Sequence, residues 1–93
     1  MVIAMNSIFA HNEDCPVREI GEGLVIMAPA GDVTHILENI GAFIWQQMDG
    51  KNSLDDLLDA ITAEYTVERT IAEADLRVFV NELVSGNIIV QVS

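Results

Sequence analysis

The fold of this chain is decided by the stretch Leu37-Glu38-Asn39-Ile40-Gly41-Ala42-Phe43-Ile44-Trp45-Gln46-Gln47-Met48-Asp49-Gly50. Four of its apolar residues have the i, i+3, i+4, i+8 spacing of one helical face: Ile40, Phe43, Ile44 and Met48. Trp45 widens that face, and Gly50 stands where a helix commonly ends in a left-handed residue. We therefore expect a helix over residues 39–48, with strands before it and helices after it.

Four segments before this helix have the composition of β-strands. They cover residues 7–11, 17–20, 24–28 and 33–37, and Gly, Pro and Asx turn residues separate them. The short connections favour an antiparallel meander. Residues 1–5 are apolar but lack the basic start of a secretory signal, so we interpret them as a frayed start or an edge strand.

Two amphipathic helices and a short extended tail are expected after the opening stretch. Residues 49–53 are interpreted as an ordinary turn, and Ser53 as the N-cap of the second helix, with Asp56 in its first turn. The third helix is expected over residues 71–85, with Thr70 and Glu73 as its capping box and Gly86 at its end. The apolar stripes that should be buried are Leu54, Leu57, Leu58 and Ile61 in the second helix, extended by Tyr65, and Leu76, Phe79, Val80 and Leu83 in the third. Residues 88–92 form the extended tail.

Composition restricts the class of protein. The chain has 93 residues, of which 51% are hydrophobic, so we expect a single domain over residues 1–93 with a hydrophobic core. A formal net charge of −11 disfavours nucleic acid as a partner, because binding to phosphates depends on Lys and Arg. The sequence has no apolar run of about 18 residues, so no membrane span is expected. The single cysteine, Cys15, excludes an internal disulfide and fits a reducing, cytoplasmic compartment.

These residues carry a family resemblance. They are the pattern Leu37-x-x-x-Gly41-x-x-Ile44-Trp45 followed by Asp49-Gly50, the leucine-rich second helix, Asp75-Leu76-x-x-Phe79-Val80-x-x-Leu83, and the closing Gly86-x-Ile88. With these features the chain resembles the PqqD-like family over residues 24–90. The resemblance implies an α+β, winged helix-turn-helix-like fold, in which a three-stranded antiparallel sheet is followed by three helices.

The same resemblance implies a peptide-recognition domain without catalytic activity or cofactor. In this family, the leader of a ribosomally made precursor peptide adds as an extra strand beside the third strand, in a groove formed with the third helix. The domain presents the leader to a modifying enzyme, often a radical SAM protein, as in the biosynthesis of pyrroloquinoline quinone.

The candidate peptide-binding residues follow from the strand before the opening stretch and from the third helix. An exposed strand edge offers unpaired N–H and C=O groups that accept another strand. The candidates are Val33, Thr34, His35, Ile36 and Leu37 in the strand and Arg77, Val78, Asn81 and Glu82 in the helix. Ile36 and Val78 are apolar off the predicted core stripes, and they either line a groove or extend the core.

Other functions have weaker support in the sequence. His11 and His35 have no Cys or His at metal-ligand spacing, so no metal site is expected. No nucleophile–base arrangement indicates catalysis. A DNA-binding winged helix would need a basic third helix, whereas this one has Glu73, Asp75 and Glu82. A non-catalytic interaction or regulatory subunit of the same fold remains an alternative, and an open strand edge is compatible with a monomer or a homodimer.

Overall fold

The structure, a computed structural model, describes residues 3–93 and contains six strands and three helices. In chain order the elements are β1 (Ile8–His11), β2 (Val17–Ile20), β3 (Gly23–Met27), β4 (Thr34–Leu37), α1 (Ile40–Gln47), β5 (Asp49–Ser53), α2 (Leu54–Glu64), α3 (Arg69–Ser85) and β6 (Ile89–Gln91). The α+β class is confirmed, and each predicted strand and helix is present within one or two residues of its expected position. None of the helices within residues 3–93 has the length and apolar content needed to cross a bilayer.

The strands form two three-stranded antiparallel sheets. One sheet has the order β2-β3-β4, with Val25 opposite both Arg18 and Ile36, and is the expected three-stranded meander. The other has the order β5-β1-β6. The prediction that the first segment belongs to the same meander was therefore wrong, because β1 pairs with a strand on each side that comes much later in the chain.

The second sheet was missed because β5 lacks the apolar alternation of a strand. The interpretation of residues 49–53 as an ordinary turn was wrong, since Asp49 and Ser53 pair with β1. The Asp49 carboxylate accepts the N–H groups of Lys51 and Asn52 at 2.9 and 3.1 Å, which holds this irregular strand in shape. Gly50 has the expected positive φ of 82°, but it lies inside β5, and α1 ends earlier, at Gln47.

The helices bury the stripes that their sequences predict. Leu54, Leu57, Leu58 and Ile61 of α2 are at most 3% exposed, and so are Leu76, Val80 and Leu83 of α3. Ile44, Trp45 and Met48 of the opening stretch join the same core, whereas Ile40, Phe43 and Phe79 are partly buried at its border.

The two predicted helix starts differ in outcome. Ser53 caps α2 as expected: its hydroxyl accepts the Asp56 N–H at 3.2 Å, and the Asp56 carboxylate accepts the Ser53 N–H at 2.9 Å. The capping box predicted at Thr70 was wrong, because α3 already begins at Arg69. Arg69 donates to Asp59 of α2 at 2.8 Å, and this contact accompanies the earlier start.

The N-terminal prediction concerns residues 1–5, of which Met1 and Val2 lie outside the described residues. Residues 3–5 form no strand. Ile3 is 5% exposed and joins the core. Its carbonyl accepts a hydrogen bond from Arg77 Nη1 at 2.6 Å, which ties the segment to α3.

Candidate functional site

One flank of β4 has no strand partner among residues 3–93, because β4 is the edge of its sheet. The register determines which backbone groups face that flank. The Ala28 N–H donates to the Val33 carbonyl at 2.8 Å, so the antiparallel alternation directs His35 and Leu37 toward β3 as well. Thr34 and Ile36 then direct their N–H and C=O groups to the open flank. A second extended chain can bond to these four groups.

The open flank faces the C-terminal half of α3 across a wide groove of about 530 Å³. The side chains and backbone that line it come from two elements: Val33 and His35 beside β4, and Val78, Asn81, Glu82, Ser85 and Gly86 at the end of α3. Val33 and Val78 are 48% and 59% exposed, so the groove offers apolar surface to a ligand.

His35 forms the floor of the groove where α3 ends. A Cβ placed on Gly86 would lie 2.6 Å from His35 Nε2 and 2.8 Å from Cε1, so the imidazole fits only because residue 86 has no side chain. The Nε2 atom is buried, and the described residues give it no hydrogen-bond partner. Gly86, the C-cap of α3, therefore sets the depth of the groove.

Most of the nine predicted site residues lie at this groove. Val33, His35, Val78, Asn81 and Glu82 line it directly. Thr34 and Ile36 supply the outward backbone groups, and the Ile36 side chain, 68% exposed, lies on the outer face of the sheet opposite Val25. Neither Ile36 nor Val78 extends the core, which was the alternative interpretation.

Two predicted residues lie elsewhere. Leu37 is 7% exposed and belongs to the core. Arg77 lies on a neighbouring face of α3, where it bonds to the Ile3 carbonyl and pairs with Glu73 at 3.5 Å. A direct role of these two side chains in binding stays a prediction.

The sequence reasoning missed Ser85 and Gly86 as lining residues. It also missed an apolar pocket between α1 and α3, to which Ile71 and Phe79 contribute. A signal for this pocket was present, since Ile71 is an apolar residue outside the core stripe of α3 and is 57% exposed.

The electrostatics of the groove are acidic. Among the residues that the structure describes, Glu82 is the only charged one that lines it. Two of the four basic side chains of the protein, Arg69 and Arg77, are paired with Asp59 and Glu73 away from the groove. An acidic rim beside apolar surface favours an apolar ligand that also carries positive charge.

In the described part of the chain, Cys15 and His11 are each held in a structural role. Burial raises the pKa of the Cys15 thiol, with a further contribution from Asp14, so the thiol stays protonated. His11 stacks on Trp45 with ring centroids 3.6 Å apart, and its Nε2 lies 2.5 Å from the Trp45 carbonyl. Within residues 3–93, no three His, Cys, Asp or Glu side chains are arranged to hold a metal ion.

An open strand edge beside a helix defines a class of strand-accepting binding domain. Residues 23–89 match the family described as Coenzyme PQQ synthesis protein D (PqqD), and because this match covers more than two-thirds of the chain, the protein belongs to that family.

Two solved structures resemble the fold closely. One is "TbiB1 in Complex with the TbiA(beta) Leader Peptide", with 25% identity and a TM-score of 0.77 over 86% of this chain and 93% of that one. The other is "Lasso peptide synthetase B1 complexed with the leader peptide", with 27% identity and a TM-score of 0.77 over 88% of this chain and 96% of that one. No curated protein matches the chain.

Proposed function

We propose that residues 1–93 act as one peptide-recognition domain that binds the leader of a precursor peptide as an added strand on β4. The observation that carries this proposal is the open backbone flank at Thr34 and Ile36, which faces a groove against α3. Family membership and the two related proteins that are complexed with leader peptides support it. The protein is a binding module and not an enzyme.

Tight binding of a leader requires both backbone hydrogen bonds to β4 and apolar contacts in the groove. Four outward backbone groups contribute about 2–6 kcal/mol if each hydrogen bond is worth about 0.5–1.5 kcal/mol. Ordering a disordered leader costs about 2–5 kcal/mol, which offsets most of that gain. A micromolar Kd needs about 8 kcal/mol of net binding free energy. Apolar contacts in the groove, at about 0.8 kcal/mol per buried methylene, must therefore supply most of the affinity.

The groove also restricts which leader fits. In an added strand, alternate side chains point to the same face, so every second residue of the leader would face α3. Those residues would contact Val33 and Val78, and a basic residue on the same face would pair with Glu82. The expected leader segment therefore has apolar residues two apart and at least one Lys or Arg.

The bound leader would be presented to an enzyme that modifies the rest of the precursor. A radical SAM protein is one candidate for that enzyme. Cytoplasmic location and action as a monomer or a homodimer are parts of the same proposal. DNA binding is disfavoured, because Asp75 and Glu82 are exposed on the face of α3 that a recognition helix would present.

The test is a titration of the ¹⁵N-labelled protein with a synthetic cognate leader, meaning the N-terminal leader of a precursor encoded beside the gene for this protein. We expect amide shifts concentrated at residues 33–37 and along the C-terminal half of α3. Absence of binding at millimolar peptide would refute the proposal. So would saturable binding whose shifts lie only in the β5-β1-β6 sheet.

A further inference from the structure

The outer face of the β2-β3-β4 sheet, which is directed away from the core, exposes large apolar side chains. Along β3, Leu24 and Ile26 are at most 2% exposed and point to the core, so the alternation of a strand directs Val25 and Met27 outward. The pairing places Ile36 of β4 beside Val25 on that face. Met27 is 40% exposed and Ile36 is 68% exposed. The outer face therefore has an apolar centre on β3 and β4.

The outer face continues across β2 and ends in a notch near the start of α1. Ile20 lies opposite Gly23 and is 60% exposed, and Arg18 lies on the same face two residues earlier. Beside Gly23, which has no side chain, a hollow of about 200 Å³ opens, and Ile20, Glu22 and Glu38 are among its walls. This hollow, the notch, joins the apolar surface to two carboxylates.

The outer face adjoins the edge to which the leader is proposed to bind. Ile36 directs its backbone N–H and C=O to the open flank of β4, while its side chain lies on the outer face. A leader strand added to β4 would place every second side chain in the groove and the others beside Ile36 on the outer face. The bound leader therefore widens this face from three strands to four. A protein that covers the face contacts the domain and the leader together.

The size and the charge of the outer face disfavour a second copy of this chain as its occupant. Three strands about 4.8 Å apart and about four residues long, at about 3.3 Å per residue, cover about 190 Å². A stable complex buries about 800 Å² per partner. Two copies would also each bring a net charge of −11 and repel one another. So small a face suits a weak contact that a second link strengthens.

We propose that the outer face, completed by the bound leader, is the docking surface for the enzyme that modifies the precursor, and that a basic side chain of this enzyme enters the notch between Glu22 and Glu38. This inference rests on the proposed function and adds the surface and the chemistry of the partner. The core segment of the same precursor occupies the active site of the enzyme, and this tether raises the effective concentration for a weak docking contact. The docking face of the enzyme is therefore apolar, with Lys or Arg facing the notch and a carboxylate facing Arg18.

The test measures how tightly the leader-saturated domain binds the purified modifying enzyme encoded beside the gene for this protein, by biolayer interferometry. Ile20→Thr and Met27→Gln keep the approximate shapes of two side chains at opposite ends of the outer face and remove apolar area, so each should weaken enzyme binding about fivefold. Together they should weaken it about 25-fold, because distant sites are additive. Val90→Thr is the matched control, a similar change at a 44% exposed residue of β6 in the other sheet, and it should leave the enzyme Kd unchanged. Neither Ile20 nor Met27 lines the groove, so an unchanged leader Kd shows that both variants fold.

The notch and the leader have their own readouts. Glu38→Gln should weaken enzyme binding about threefold in low salt but not near 1 M salt, where the Debye length is about 3 Å. Glu13→Gln, at an exposed carboxylate in the turn before β2, is the matched control and should have no effect. The leader, added without its core segment, should tighten enzyme binding about fivefold or more, because it adds a fourth strand to the face.

The outcomes separate this inference from the proposed function. If the leader does not bind the wild type, the proposed function fails. If the leader binds but the enzyme does not bind the leader-saturated domain, the docking assignment alone is wrong. It is also wrong if Ile20→Thr and Met27→Gln leave the enzyme Kd unchanged, or if Val90→Thr weakens it equally. If sedimentation shows a wild-type dimer that Ile20→Thr dissociates while the enzyme Kd stays the same, the outer face belongs to a second copy, and the assignment is again wrong.

Discussion

Replacing Ile36 by proline tests the open strand edge with the least disturbance of the fold. The Ile36 N–H points away from β3, so proline at this position removes a donor from the open flank while the β3–β4 ladder keeps its bonds through His35 and Leu37. The pyrrolidine ring would occupy the place that an incoming carbonyl needs. Edge strands tolerate proline at such outward positions.

The size of the effect follows from the groups involved. The complex loses one hydrogen bond, worth about 0.5–1.5 kcal/mol, and leaves one leader carbonyl without its donor at a cost of about 1–3 kcal/mol. We expect a total loss of about 1.5–4.5 kcal/mol, which weakens binding by at least about tenfold. Ile36→Ala retains the N–H and removes only the side chain on the outer face, so it should cost less than about threefold.

The chain offers a matched control on the opposite edge of the same sheet. The Met27 N–H donates to the Pro16 carbonyl at 3.0 Å, so the alternation directs the N–H of Glu19 away from β3. Glu19→Pro therefore makes the same backbone change on β2 and should leave the leader Kd unchanged. Fluorescence anisotropy gives the affinities, and thermal melts followed by circular dichroism show that both variants fold. Equal losses in the two variants, or no loss in Ile36→Pro, would refute the reasoning.

Three further predictions concern the groove and the stability of the fold. Gly86→Ala should push the His35 ring into the groove and weaken leader binding about tenfold. The melting temperature should change little, since Gly86 has an ordinary φ of −82°. Leader binding equal to that of the wild type would mean that the imidazole has room to move elsewhere. The Cys15 thiol is 7% exposed and burial raises its pKa, so it should react with a thiol reagent at pH 8 only as fast as the protein unfolds. Fast labelling of the folded protein would contradict this burial. Two backbone N–H groups hold the pKa of the Asp49 carboxyl below its ordinary value, so Asp49→Ala should lower the free energy of unfolding at pH 7. This difference from wild type should fade as the pH falls from about 4 through the folded pKa of Asp49. A difference that persists at pH 2 would exclude the carboxylate as its cause.

The sequence predicted best the elements whose side chains have a clear period. The apolar stripes of α2 and α3 are buried as expected, apart from the partly buried Phe79, because a period of 3.6 places their residues on one face of each helix. The position of β4 before α1 followed from alternating residues that end at a helix start. Together with the family resemblance, β4 and α3 allowed the edge, the facing helix and five of the groove-lining residues to be named.

The sequence could not show contacts that depend on distant pairing. β5 has the sequence Asp-Gly-Lys-Asn-Ser, which carries no strand pattern, and it is a strand only because β1 lies beside it. Arg77 was expected as a polar group at the rim of the groove. It lies about 100° of helix rotation away from Val78, and its guanidinium bonds to the Ile3 carbonyl. The close packing of the His35 ring against Gly86 likewise depends on two residues that are far apart in the chain.

Amide hydrogen exchange at β4, followed by NMR with and without the cognate leader, tests the central claim most directly. In the free protein the Thr34 and Ile36 amides should exchange quickly, whereas the His35 and Leu37 amides, which bond to β3, should be protected. Saturation with the leader should protect Thr34 and Ile36 by at least tenfold. Protection of these two amides already in the free protein, or no change in them when the leader is bound, would contradict strand addition at this edge.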